Sequence, residues 1–190
     1  MGQTESSILH LAMDRALQVA LEAHGGQLRR GSDAPYVIHP IQVALALSGL
    51  GASVTVIQAG VLHDVVEDCE DWTCARIHVE FGAQVAGLVA EVTEDKSLSW
   101  KVRKEHGIQV VPELSEGALL IKACDKLHNL TSLAASLESV EDAALVWGRF
   151  RGKREGTLET SGRLVEALCL RVSSDLGEQL RSALGRVRQY

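Results

Sequence analysis

The segment His63-Asp64-Val65-Val66-Glu67-Asp68 gathers the side chains of this sequence that are best suited to chemistry. It follows an apolar run that begins after Ser53, a favourable N-cap residue, so the pattern predicts a helix from about Val54 through the acidic segment. At about 100° per residue, its four polar side chains share one arc of roughly 140°. The helix dipole disfavours carboxylates at a helix C-terminus, and a bound cation would reverse that penalty. A solvated acidic helix end is the alternative, but it does not explain a histidine joined to an apolar stripe.

A metal ion needs more ligands than one helix can offer, and two other residues qualify. His39 lies at the entrance of the next predicted helix, because Pro40 follows it and suits the first helical position. Asp125 lies inside an apolar helical pattern, where an aspartate is costly unless it is paired or coordinated. With the earlier His-Asp pair, these residues form a mixed nitrogen and oxygen set that suits Mn²⁺, Fe²⁺, Co²⁺ or Zn²⁺.

Helical periodicity dominates the elements that must position these residues. Helices are predicted over about 6–23, 40–48, 54–68, 73–81, 83–92, 115–137 and 158–187. The stretch 93–104 is polar and 138–156 is basic and less regular. No alternating strand of useful length, no repeat and no linker interrupts the pattern. The sequence therefore predicts one all-α domain, a helical bundle over residues 1–190.

Composition narrows the possible partners. The 190 residues carry 19 Lys and Arg against 25 Asp and Glu, a net charge of −6, which argues against binding a nucleic acid polymer. A small anionic substrate held by a few local cations remains compatible with that charge. No apolar run is long enough to predict a membrane span. The four cysteines lack C-x-x-C spacing and the N-terminus lacks a signal-peptide pattern, so a cytoplasmic location is expected.

Several motifs, taken together and in order, resemble the HD-domain (p)ppGpp hydrolases: the hydrolase domain of RelA/SpoT proteins and, more closely, the small stand-alone alarmone hydrolases. The matching segments are His24 with Gln27 and Arg29-Arg30, then 35–40, 62–68, 93–98, 125–129 and 147–168. A lone His-Asp pair would carry little weight, but H…HDxxED…DKLHN in this order is a specific signal. The resemblance spans nearly the whole chain and implies an HD-domain helical bundle.

The resemblance also implies a role for each matching residue. His39, His63, Asp64 and Asp125 match the positions of the family's metal ligands. The resemblance implies one divalent ion, expected to be Mn²⁺, with other transition metals possible. The positions of its acidic catalytic pair, which positions and deprotonates the attacking water, are those of Glu67 and Asp68. The positions of its substrate-binding residues are those of Arg29, Arg30 and Asn129.

The reaction implied is hydrolysis of the 3′-pyrophosphate of guanosine alarmones, giving GDP or GTP and pyrophosphate. A related activity on (p)ppApp or NADPH is an alternative, because relatives of this size can carry it out. The base preference is also open, because Glu159-Thr160-Ser161-Gly162 stands where related small hydrolases tend to carry an aromatic cluster. An alternative of another class is a non-catalytic alarmone sensor. The intact acidic pair argues against the sensor, which has no need of a water-activating acid.

Overall fold

The structure, a computed structural model, describes residues 2–29 and 34–190, with the backbone alone for residues 2–10. In this described part the regular elements are helices joined by short connections, and the β-type pairing recorded there is an isolated bridge between Leu28 and Pro35. The predicted all-α fold is confirmed. No helix of the described residues is both long and apolar enough to cross a membrane.

The helix bounds follow the predicted pattern closely in the N-terminal half and less closely after residue 93. The helices are α1 Gly2–Ala23, α2 Ile38–Gly49, α3 Val54–Leu62, α4 Val65–Asp68, α5 Cys74–Val92, α6 Trp100–Gln109, α7 Glu116–Glu138, α8 Ala143–Trp147, α9 Lys153–Cys169 and α10 Ser174–Arg188. A short 3-10 turn, Val111–Glu113, precedes α7. The predicted cap Ser53 accepts a hydrogen bond from the backbone N–H three residues later, and Ser115 does the same at the start of α7.

The chain divides into two compact units, and the first comprises residues 1–28 and 34–93. Its centre is α3, which packs against α1, α2 and α5. α2 and α3 approach closely at Gly60, where a Cβ atom would overlap Cδ1 of the buried Leu47. Gly82 breaks the regular path of α5 with φ 85°, which matches the prediction of two helices on either side of it.

The second unit comprises residues 29–33 and 94–190. Its centre is α7, which packs against α8, α9 and α10, while α6 packs against α9. Trp100 lies against α9 at two glycines, because Cβ atoms at Gly152 and Gly156 would meet its indole ring. The interpretation of the chain as a single domain over 1–190 remains a prediction.

Two predicted helices are shorter than the sequence pattern indicates. The helix from Val54 ends at Leu62, and a separate turn, α4, carries the acidic residues. The last predicted helix is two helices, because Ser173 caps α10 by accepting from Leu176 N–H and so begins a new helix. The polar stretch after residue 93 also contains a helix, α6, that its weak periodicity did not predict.

Candidate active site

His63 stands at the junction between α3 and α4, and its side chain helps to form that junction. Its Nδ1–H donates to the carbonyl oxygen of Gly60 at 2.8 Å. A continuing helix would give this carbonyl to the backbone N–H of Asp64, so the imidazole competes with the next helical turn. The same bond directs the Nδ1 hydrogen to Gly60 and leaves Nε2 as the ring atom that faces Asp64. His63 is buried, and its Nε2 lies 3.1 Å from Oδ2 of Asp64.

His39 reaches the same carboxylate from the first turn of α2. Its Nε2 lies 3.4 Å from Oδ2 of Asp64, and its ring centroid lies 5.1 Å from that of His63. The first unit therefore brings together three of the four residues predicted as metal ligands. Two buried imidazole nitrogens directed at one carboxylate oxygen form a donor set that fits a divalent transition metal.

Asp64 is ionised although it is partly buried, because its neighbours lower the pKa of its carboxyl. Burial on its own raises the pKa of the carboxyl, but the charge of His63 and hydrogen bonds from His39 and His63 outweigh it. The pKa consequently lies well below its usual value, and the carboxylate is ionised at neutral pH. An ionised carboxylate is the form that binds a metal.

Tyr36 is a further member of this group that sequence reasoning did not assign. Its hydroxyl donates to Oδ2 of Asp64 at 2.6 Å, within the usual range for a hydroxyl bound to a carboxylate. Its ring lies between the rings of His24, at 4.8 Å, and His39, at 5.9 Å. The motif Pro35–Pro40 contained the signal, since it was singled out for His39 without a role for its tyrosine.

Glu67 and Asp68 lie in α4, one turn after the His-Asp pair, and both are partly buried. The end of α4 is held in place by the segment that follows α1. Gln27 donates to the backbone oxygen of Asp68 at 3.5 Å, and the Cys69 thiol donates to the Ala23 oxygen at 3.1 Å. The acidic pair is thus fixed to the same unit as His39 and His63, and its catalytic role remains a prediction.

The second unit holds three of the remaining predicted residues in one chain of hydrogen bonds. Arg29 Nη2 donates to Oδ1 of Asn129 at 3.0 Å, and Nδ2 of Asn129 donates to Oδ1 of Asp125. Asp125 and Asn129 share a face of α7 through their i,i+4 spacing. The structure therefore joins a predicted substrate arginine to a predicted metal ligand through the predicted amide. Arg30, the other predicted substrate residue, lies outside the described residues.

Basic side chains collect beside this chain of contacts, and sequence reasoning gave them no definite role. Glu94 accepts from Arg103 at 3.2 Å and from Lys104 at 2.7 Å. Lys126 donates to the buried hydroxyl of Ser161 at 2.7 Å. Burial lowers the pKa of Lys126 to about 8, and the positive charge of Lys104 adds to this effect. Ser161, in the segment without the aromatic cluster, thus accepts a hydrogen bond from a partly buried lysine.

Comparison with known proteins gives a consistent result. A family model described as the HD domain matches residues 16–157. The mouse (Mus musculus) protein named guanosine-3′,5′-bis(diphosphate) 3′-pyrophosphohydrolase MESH1 is 40% identical over 136 residues, covering 70% of this chain and 73% of that protein. The MESH1 protein of Drosophila melanogaster, with the same enzyme name, is 39% identical over 142 residues, covering 70% of this chain and 78% of that protein.

A solved structure extends the likeness to the fold. A metazoan ortholog of SpoT, described as hydrolysing ppGpp, matches with a TM-score of 0.80 at 31% identity, covering 92% of this chain and 94% of that chain.

Proposed function

The chain belongs to the HD domain family, and we propose that it is a metal-dependent hydrolase that removes the 3′-pyrophosphate of (p)ppGpp. The products are GDP or GTP and pyrophosphate. The observation that carries the proposal is the convergence of His39 and His63 on the ionised Asp64. This arrangement lies in a chain that is similar over most of its length to enzymes named for that reaction.

We propose that His39, His63, Asp64 and Asp125 hold one divalent metal ion, and that this ion is Mn²⁺. The fit rests on the Nδ1–H bond of His63 to Gly60, which makes Nε2 the ring atom that would exchange its proton for a metal ion, and on the ionised Asp64. A metal ion at such a site supplies Lewis acidity and lowers the pKa of water. Asp125 is included because the segment 125–129 resembles the family motif that carries the fourth metal ligand.

Glu67 and Asp68 are proposed to position the attacking water and to accept its proton. The water oxygen bonds to the phosphorus attached to the ribose 3′ oxygen, and the bond between that phosphorus and the 3′ oxygen breaks. The water gives one proton to the acidic pair, which returns a proton to the departing 3′ oxygen, and the remaining OH of the water leaves as part of pyrophosphate. A carboxylate suits the role of general base when it lies within hydrogen-bond reach of the water.

Arg29, Arg30 and Asn129 are proposed to bind the substrate. Arginine forms charge-assisted and often bidentate hydrogen bonds to phosphate oxygens. Asn129 supports this role for Arg29, because its amide oxygen accepts from the guanidinium and holds it at α7. The partner is thus a small anionic nucleotide and not a nucleic acid polymer, and the proposed location is the cytoplasm.

The test is a substrate panel with added Mn²⁺ that contains ppGpp, pppGpp, ppApp and NADPH. We expect pyrophosphate release from ppGpp and pppGpp that requires the metal and disappears in the Glu67→Ala/Asp68→Ala double variant. Hydrolysis of ppApp or phosphate release from NADPH at higher kcat/KM would identify the related enzyme instead. Tight binding of ppGpp without turnover of any substrate would identify an alarmone sensor and overturn the proposal.

A further inference from the structure

The hydroxyl of Tyr36 lies closer to Asp64 than either imidazole does. It lies 2.6 Å from Oδ2, whereas the imidazole nitrogens of His63 and His39 lie 3.1 and 3.4 Å from the same oxygen. A phenol donates one hydrogen and carries no charge at neutral pH, so it can orient a carboxylate without neutralising it. The bond therefore fixes the direction of Asp64 and preserves the charge that a cation needs.

Tyr36 is itself held on several sides. Its backbone N–H donates to the carbonyl of Gln27 at 2.8 Å, and the ring of His24 packs over it. The side chain of Gln27 in turn accepts from Nδ1–H of the buried His24 at 3.0 Å. A residue fixed by backbone bonding and by ring packing loses little further freedom when it makes a hydrogen bond. Its hydroxyl position is thus determined by the fold and not by Asp64 alone.

Groups of this kind control the affinity of metal sites. A carboxylate or imidazole ligand is oriented by hydrogen bonds from neighbouring groups, and loss of such a partner typically weakens metal binding about 10–100-fold. Oδ2 of Asp64 has two lone pairs, so it can accept from Tyr36 and still face the two imidazoles. Without the Tyr36 hydroxyl, the Asp64 side chain can rotate about χ2, a torsion with broad energy wells. It would then have to be reoriented each time a metal ion binds.

We propose that Tyr36 is a positioning residue for the metal centre and acts through Asp64. The inference rests on the proposed function, because it assumes the metal site described there. It adds a specific role for Tyr36, and replacement by Phe tests the hydroxyl separately from the ring. Tyr36→Phe keeps the ring against His24 and His39 and removes only the hydroxyl.

The experiment measures the Kd of the metal-free protein for Mn²⁺ by competition with a fluorescent chelator. Tyr36→Phe is expected to raise this Kd about 10–100-fold. The matched control is Tyr190→Phe, the same change at the chain's other tyrosine, which is the C-terminal residue and 39% exposed. It should leave the Kd unchanged. The metal-free Tm of Tyr36→Phe is measured as well and should stay close to that of the wild type.

Activity provides a second and independent measurement. Because the lost hydroxyl acts on the metal ligand, raising the Mn²⁺ concentration should restore the kcat of Tyr36→Phe while the KM for ppGpp stays unchanged. A raised KM for ppGpp with an unchanged Kd for Mn²⁺ would mean that Tyr36 contacts the substrate and would overturn the inference. Equal Mn²⁺ affinity in Tyr36→Phe and the wild type would also overturn it. If the wild type itself binds no Mn²⁺, the proposed metal site fails, and that result is distinct from failure at Tyr36 alone.

Discussion

At the scale of single residues, the geometry around Asp64 separates residues that hold the site from residues that would act in it. His39 and His63 are buried and directed at one oxygen of Asp64. Glu67 and Asp68 lie a turn later in α4 and are only partly buried, so a water or substrate oxygen can reach them. The two pairs should therefore respond differently to substitution.

Substitution of Glu67 tests this separation. Glu67→Gln keeps the shape of the side chain and removes its basicity, so kcat should fall about 100–10,000-fold, the usual contribution of a general base. Because Glu67 is not a proposed ligand, the Mn²⁺ content of the purified protein should not change. The exposed Glu70 offers the matched control, and Glu70→Gln should keep full activity. Loss of bound Mn²⁺ in Glu67→Gln would place Glu67 among the ligands and contradict the assignment.

The sequence was sufficient to predict that His39 and His63 lie near Asp64, but not that Tyr36 also contacts it, and the metal-binding role of the group stays a prediction. His63 and Asp64 are adjacent and His39 lies in a distinctive motif, so residue type and order predicted the group. Tyr36 and Asp64 are 28 residues apart, and their bond depends on where Gln27 fixes the backbone of Tyr36. The short contact between Tyr36 and Asp64 is a consequence of tertiary packing, which no local sequence pattern encodes. For the same reason the bond between Lys126 and Ser161 was not predicted.

At the scale of helices, the pattern of apolar residues predicted the existence of elements better than their ends. The helix that begins at Val54 was predicted to continue through Asp68, because its apolar spacing continues. It ends at Leu62, where the imidazole of His63 takes the Gly60 carbonyl. The last helix was predicted to be continuous for a similar reason, although Ser173 begins a new helix. Side-chain competition for backbone groups decides such ends, and periodicity does not report it.

The contact between α2 and α3 at Gly60 gives a prediction at this scale. A Cβ atom at Gly60 would overlap Cδ1 of Leu47, which is fully buried and would have to shift within the core. Gly60→Ala should therefore destabilise the protein by about 1–3 kcal/mol and lower Tm, at about 2–4 °C per kcal/mol. Thermal unfolding followed by circular dichroism measures the change.

Gly87 provides the control for Gly60. It is an exposed glycine inside α5, and a Cβ atom there would meet nothing within 4 Å. Gly87→Ala should stabilise the protein by about 0.5–1 kcal/mol, since alanine favours a helix interior. An equal loss of stability in both variants would mean that helix packing at Gly60 is not the cause.

The ion pairs between α1 and α5 give a prediction that depends on pH. Glu80 accepts hydrogen bonds from Arg15 and Arg76. Burial opposes ionisation of Glu80, but the two arginines outweigh it and lower its pKa from the ordinary value of 4.5. Because the pKa is lower in the folded protein, the stabilisation is complete above pH 4.5 and disappears as pH falls through the lowered value.

Comparison of the wild type with Glu80→Gln measures this stabilisation. At pH 7 the variant should be less stable by about 0.5–1 kcal/mol, the usual contribution of partly exposed ion pairs. The difference in Tm should shrink as pH is lowered from 4.5 towards 3, because the wild-type carboxyl then becomes protonated. Glu22→Gln, at an exposed position of α1, is the control and should show no such pH dependence. A constant difference across the pH range would contradict the ion-pair explanation.

At the scale of the whole chain, the negative net charge opposes binding of the proposed anionic substrate. The protein carries −6 at neutral pH, so a multiply charged nucleotide requires local cations to bind. The second unit supplies them where Arg29 meets Asn129 and where Arg103 and Lys104 meet Glu94. The balance of charges is the reason for expecting no nucleic acid polymer as a partner, and that expectation stays a prediction. It did not predict the clustering of these cations, since α6 itself was not predicted.

Metal removal tests the proposed site through the stability of the whole chain. A ligand that binds only the folded protein stabilises it by RT ln(1 + [L]/Kd), about 2.7 kcal/mol at 100 times Kd, or about 5–10 °C in Tm for a chain of this size. We therefore expect Mn²⁺ to raise Tm by this amount and a chelator to reverse the gain. Asp64→Asn and Asp125→Asn should each lose most of it, whereas Asp14→Asn, at an exposed position of α1, should retain it. A full Tm gain in Asp125→Asn would show that Asp125 is not a metal ligand. It would leave the other proposed ligands in place, because the contacts of Asp64 with His39, His63 and Tyr36 do not involve Asp125.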